Sequence, residues 1–147
     1  MFLRHRTSRH ERGRRRGASV AEMALVLPVV LLLLFGTIDF TQVVYAYTTV
    51  SEAARVGARY AMTHGSLSTS PVGPTANDST VQSEVVNNAY ALQSSNLTVT
   101  SSWGQGSNQA GCPVTVSATY ACPLTIGKFI GINTVDVTGS TTMLITH

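Results

Sequence analysis

The sequence predicts an α+β protein: a long N-terminal transmembrane helix that continues as a stalk, then a small exported head with a short helix and three to four antiparallel strands. Three observations predict it. An uncharged apolar run, Met23 to Ile38, follows an arginine-rich start. Small residues recur at helical spacing from Ala46 to Ala61. Segments that alternate between apolar and polar residues, separated by Gly-, Ser- and Asn-rich stretches, fill the second half. The expected division is residues 1–17 as a basic cytoplasmic leader, 18–47 as the transmembrane helix, 48–64 as the helical stalk and 65–147 as the head.

Composition narrows the function class. The 147 residues have the size of one domain, 44% hydrophobic and only 12% charged. The net charge of +3 is the sum of two unlike parts. Residues 1–17 hold seven arginines and Glu11, a net +6, while residues 18–147 hold Arg55, Arg59 and Lys128 against six acids, a net −3. The basic charge is thus confined to a short arm, and no nucleic-acid-binding surface is expected. His5, His10, His64 and His147 show no metal-ligand spacing, and no catalytic motif is present. The expectation is a non-enzyme with no cofactor, no metal and no small-molecule substrate.

The junction of arm and helix reads RRRG-ASVAE-MALVLP, residues 14–28. Gly17 offers a bare backbone that a protease can hold closely in extended form. Glu22 is the fifth residue after it. Ser19-Val20-Ala21-Glu22 also fits a capping box at a helix start, so a cap and a processing or assembly role are both open. From Met23 to Ile38 a helix would rise about 24 Å at 1.5 Å per residue, short of the ~30 Å hydrocarbon core. Uncharged residues 18–21 and the apolar Phe40, Val43, Val44, Tyr45 and Tyr47 make up the deficit. The arginines before the run place the N-terminus in the cytoplasm and the head outside. A cleaved secretory signal is the alternative, but FGTIDFTQVVYAY lacks the small residues such cleavage needs. Pro28 is expected to kink the helix and Gly36 to loosen it. Asp39 is either a solvated acid at the outer end of the span or a contact to a partner helix.

Beyond the membrane the helix is expected to run to about Thr63. Ala53, Gly57 and Ala61, with Ala54 and Ala58, put small side chains on successive turns, which lets another backbone approach closely. Glu52 precedes Arg55 by three residues and Arg59 by seven, so these form an intrahelical pair or meet acids of a partner. His64 to Thr80 reads as a mobile loop. Val81 to Leu92 has helical spacing; Leu97–Ser101, Val114–Ala121 and Thr134–Thr146 read as strands, the last with a break near Gly139. Cys112 and Cys122 are candidates for a disulfide in an exported head, although ten extended residues would separate their Cα atoms beyond bonding reach. A short or looped strand, two free thiols, or bonds to other chains are the open outcomes.

Gly17 and Glu22 at this spacing before an apolar helix resemble the class III or type IV prepilin signal. Together with Pro28, Asp39-Phe40, Ala53-Ala54-Arg55 and Gly57-Ala58-Arg59-Tyr60-Ala61, the stretch 14–62 resembles the TadE-like family of bacterial tight-adherence (Flp) pilus assembly proteins. The resemblance implies a pilin-like fold and a minor pilin or pseudopilin of an adhesion and secretion system, cut between Gly17 and Ala18 by a prepilin peptidase. Its implied partners are that peptidase, the membrane, other pilins or pseudopilins and tight-adherence assembly proteins. Whether it enters the filament or primes assembly, and whether Ala18 is N-methylated, stay open. The alternative is an unprocessed, single-pass anchored binding protein whose head meets a ligand outside.

Overall fold

The computed structural model describes residues 10–146, with side chains described for residues 19–129 and 131–146. The chain order is α1 (His10–Thr63), α2 (Ser79–Asn88), β1 (Leu97–Trp103), β2 (Pro113–Pro123) and β3 (Thr134–Leu144). Short 3-10 turns lie at Ser94–Asn96, Gly104–Gly106 and Gly127–Ile130. The strands form one antiparallel sheet in the order β1-β2-β3. This is the expected α+β architecture, with three strands.

Contacts divide the chain between Ile38 and Asp39 into two compact units. In the second unit, the residues of α1 from Asp39 onward pack as part of the head. The first unit contains the Met23–Ile38 run, whose side chains are exposed.

The head core follows from strand alternation. Val99, Ser101 and Trp103 of β1, Val114, Val116, Ala118, Tyr120 and Cys122 of β2, and Val137 of β3 all lie on the buried face. Ala46, Val50, Ala53, Ala54, Ala58 and Ala61 of α1, with Val81 and Val85 of α2, complete the cluster. Each buried valine contributes up to about 1.5–3 kcal/mol by removal from water. The opposite face of the sheet is hydroxyl-rich. Thr98, Thr119 and Thr138 share one row; Thr100, Ser117 and Ser140 the next; Ser102, Thr115 and Thr142 the third. Thr115 and Thr142 bond at 2.8 Å and Thr119 and Thr138 at 3.0 Å. β-branched polar side chains suit such a wet sheet face.

Asp78 starts α2. Its Oδ1 accepts the amides of Thr80 (2.9 Å) and Val81 (3.3 Å), and its Oδ2 accepts that of Gly73 (2.9 Å). The Thr80 and Val81 bonds satisfy donors that a helix start leaves unpaired, and the Gly73 bond ties down the preceding loop. The Asp78 amide donates to Ser101 Oγ at 3.0 Å, and Gln82 Nε2 to the Val99 carbonyl at 3.2 Å, which ties α2 to β1.

Three expectations change. α2 ends at Asn88 rather than Leu92, because Ala89 leaves helical geometry (φ −85°, ψ 63°) and Leu92 closes a turn onto the Ala89 carbonyl. The stretch 64–80 is pinned: the Val72 amide donates to the His64 carbonyl (2.8 Å), Asn108 Nδ2 to the Val72 carbonyl (3.1 Å), and Val72 is buried. β3 runs unbroken through Gly139, since the glycine serves close packing rather than a break. Pro28 and Gly36 both lie within the span of α1.

Candidate functional site: the apolar helix and the loop it holds

The apolar part of α1 is built for a nonaqueous surrounding. Leu25, Leu27, Val29, Leu32 and Leu33 are all more than half exposed. Among the described residues, Ser19–Thr63 is the helix long and apolar enough to cross a membrane, and little of its most apolar stretch is buried within the chain. A soluble core helix would bury such side chains; this one presents them outward.

At the N-terminal end, Gly17 and Ala18 lie within α1, and their side chains fall outside the described residues. Ser19 and Glu22 are exposed and already inside the helix, which starts at His10. Ser19 is therefore not an N-cap in this chain, and the capping-box reading is corrected: the amides it would satisfy have helical partners. Met23, Pro28, Gly36, Ile38 and Phe40 follow on the same helix, and Phe40 is 71% exposed.

Asp39 is neither solvated nor free for a partner helix. It is 8% exposed, and its carboxylate accepts the amides of Thr125 (3.0 Å) and Ile126 (2.8 Å) from the β2–β3 connection. Successive backbone N–H groups converging on one carboxylate make an anion nest, here filled by the chain's own side chain. The loop is closed on itself as well. The Leu124 amide donates to the Asn133 carbonyl (3.0 Å), that of Phe129 to Ile126 (2.8 Å) and that of Ile132 to Gly127 (2.8 Å). Sequence reading could not supply this partner, because 86 residues separate Asp39 from Thr125. The one available signal was the apolar, glycine-flanked TIGKFIGIN between two strands.

The small-residue face of α1 packs inside the chain. Ala53, Ala54, Gly57, Ala58 and Ala61 are buried. A Cβ on Gly57 would collide with Val85 and meet Val116 at 3.4 Å. From the other side, a Cβ on Gly139 would lie 2.7 Å from Ser51 Cα. The neighbours this face admits thus belong to the chain's own sheet and α2.

Glu52 and Arg55 form an exposed ion pair at 2.6 Å, and Arg59 is exposed one turn on. Cys112 and Cys122 are both free. They stand at opposite ends of β2, Cys112 beside Pro113 and Cys122 opposite Val135, so an intrachain disulfide is not formed; strand length overrides pairing. Burial, then the Asp39 carboxylate, push the Cys122 thiol above its ordinary value, which keeps it protonated and unreactive. Among the described residues, no group of three or more His, Cys, Asp or Glu side chains could hold a metal ion.

Comparison of the chain with curated proteins and with solved structures returns no match. The stretch that carries the glycine, the exposed apolar helix, Asp39 and most of the small-residue face is a different matter: residues 17–59 match the family of TadE-like proteins.

Proposed function

We propose that the chain is a minor pilin or pseudopilin of a tight-adherence (Flp) pilus assembly and secretion system. The observation that carries this is the TadE-like match over residues 17–59, which opens on Gly17 and includes the outward-facing apolar helix. The chain inserts by that helix as a single-pass membrane protein. The seven arginines of residues 1–17 hold the N-terminus in the cytoplasm, and the head lies on the far side. A prepilin peptidase cuts after Gly17 and removes the cationic arm.

Cleavage changes the electrostatics of the helix end. It creates an amine at Ala18, with the Glu22 carboxylate one turn further along. In a bundle of such helices, that carboxylate pairs with the amine of a neighbour. An unpaired carboxylate in lipid would cost ~2.5–3.5 kcal/mol on insertion scales, so pairing favours the assembled state. Other pilins, pseudopilins and assembly proteins are the partners this chemistry serves.

N-terminal mass analysis of the membrane-extracted protein tests the reading. A mature chain that starts at Ala18, and its loss in Gly17→Leu, are expected. A chain starting at Met1 in cells with an active prepilin peptidase would return the alternative, an unprocessed anchored binding protein.

A further inference from the structure

The loop between β2 and β3 exposes what a water-facing loop buries. Phe129 is 88% exposed and Ile132 48%, with exposed Lys128 beside them. Lys128 is one of three basic residues after the N-terminal arm. The loop is held by the Asp39 carboxylate, and Asp39 is the chain neighbour of Ile38, the last residue of the uncharged run. On the helix itself Phe40, Val44 and Tyr47, spaced for one face, are 71%, 45% and 55% exposed.

We infer that residues 124–133 form a membrane-interface foot: Phe129 and Ile132 enter the boundary of headgroups and acyl chains, and Lys128 meets lipid phosphate. The occupant is a lipid surface, and three observations select it. The loop is fastened to the residue at which the apolar run ends, so its apolar tip is tethered to the edge of the bilayer. An exposed phenylalanine beside a lysine is the chemistry of an interfacial anchor, with an apolar body in the acyl boundary and a cation at the headgroups. α1 also exposes Phe40 and Val44 just past the end of the proposed span. Asp39 thereby gains a role: it fixes the depth at which the loop is presented, by bonds a solvated acid would not make. The foot would hold the head at a set height on the membrane before assembly draws the helix away.

The inference rests on the membrane-spanning reading, and the test separates the two. Full-length Phe129→Trp and Ile132→Trp proteins are reconstituted in phosphatidylglycerol–phosphatidylethanolamine vesicles. The lipids are brominated either near the glycerol end of the acyl chain or near its methyl end. The native Trp103 is buried, with its indole N–H on the Thr75 carbonyl, and gives the baseline. Val29→Trp, at the middle of the apolar stretch 19–38, reports on spanning, and Thr142→Trp, on the hydroxyl face of the sheet, reports on water. Emission of Phe129→Trp and Ile132→Trp is expected to be blue-shifted and quenched several-fold more by the shallow bromines than by the deep ones, unchanged in large lipid excess. Quenching no greater than for Thr142→Trp, with Val29→Trp still quenched by deep bromines, overturns the foot alone. A blue shift that disappears on dilution in lipid shows a second copy as the occupant and also overturns it. If Val29→Trp escapes the deep bromines too, the spanning reading fails, and the foot with it.

Discussion

Two stretches of one helix show what side-chain size is for. Residues 19–38 carry leucine, valine and phenylalanine, and these are exposed; residues 39–63 carry alanine and glycine on one face, and these are buried. Hydrophobic volume alone would predict the reverse. The first stretch is apolar because its surroundings are: lipid tails accept large side chains without close fit. The second must lie against a sheet and a second helix, and only small side chains let backbones come so near. Apolar residues therefore face outward where the solvent is lipid, and small ones face inward where the solvent is protein.

Filling the glycines breaks this contrast with the largest effect. Gly36 has open space around the position of a Cβ, whereas Gly57 faces Val85 and Gly139 faces Ser51. Gly57→Leu and Gly139→Leu are expected to cost about 3 kcal/mol or more each, by overpacking a core that cannot yield. Gly36→Leu should leave the unfolding of the head unchanged. Denaturant unfolding of the detergent-solubilised full chain, followed by Trp103 fluorescence, reads all three. Equal midpoints for Gly36→Leu and Gly57→Leu would remove the distinction between the two stretches.

Much of this was legible from the chain. Period-two alternation at Val114–Tyr120 and over Leu97–Ser101 marks strands because one face is dry and the other wet, while β1 runs on to Trp103, two residues beyond the alternation read from the sequence. The uncharged run and the small-residue spacing mark the helix. What stayed hidden depends on contacts distant in sequence. The spacing of Ala53, Gly57 and Ala61 announces a close approach but not whether the approaching partner is another chain or the same one; at Gly57 the structure makes it Val81 and Val85 of α2 and Val116 of β2. Gly139 reads as a strand break because glycine weakens strands, yet the position it vacates is where Ser51 lies. Asp39 reads as a solvated end-of-span acid because its amide donors come from a loop that composition marks only as apolar. The cysteines follow compartment chemistry on paper, and the length of β2 overrides it.

Asp39 sharpens the contrast at its boundary, as the residue at which the helix turns from exposed to packed. Asp39→Ala is expected to free the Thr125 and Ile126 amides, raising their hydrogen exchange by at least an order of magnitude and opening residues 124–133 to proteolysis. Asp39→Asn keeps one carbonyl oxygen as acceptor and should fall between Asp39→Ala and the parent. Exchange at those two amides that does not respond to either change would mean the loop holds itself.

Asp78 gives a smaller, pH-dependent effect confined to the head. Burial works to raise its pKa, but the amides of Gly73, Thr80 and Val81 outweigh it, and the carboxyl lies below its ordinary value. A pKa depressed by folding contributes stability that is present above the unfolded-state value, near 4, and lost as pH falls through the folded value. Asp78→Ala is expected to cost about 1 kcal/mol at neutral pH, the typical loss of a helix N-cap. The gap between parent and variant should close as the pH is lowered below about 4. A gap that persists at acid pH would assign the loss to packing and not to the charged cap.

The smallest effect is expected at Glu52 and Arg55, on the exposed face of the packed stretch. Their side chains are 65% and 50% exposed, and the pair spans one helical turn at 2.6 Å. Water screens such a pair, and holding two long side chains in one geometry offsets most of the attraction. Glu52→Gln should therefore shift unfolding by less than about 0.5 kcal/mol, and less still in high salt. The same change frees Arg55 to stand beside exposed Arg59 as two cations on one side of the helix, which is where the face can be read for assembly. If the arginines serve only the intrahelical pair, Arg59→Gln leaves co-purification of other pilus subunits at the parental level, because Arg59 lies outside that pair. If they meet acids of a partner, Arg59→Gln lowers co-purification while unfolding of the head stays unchanged. That split between assembly and stability separates an outward use of this face from the inward use of the alanines on the other.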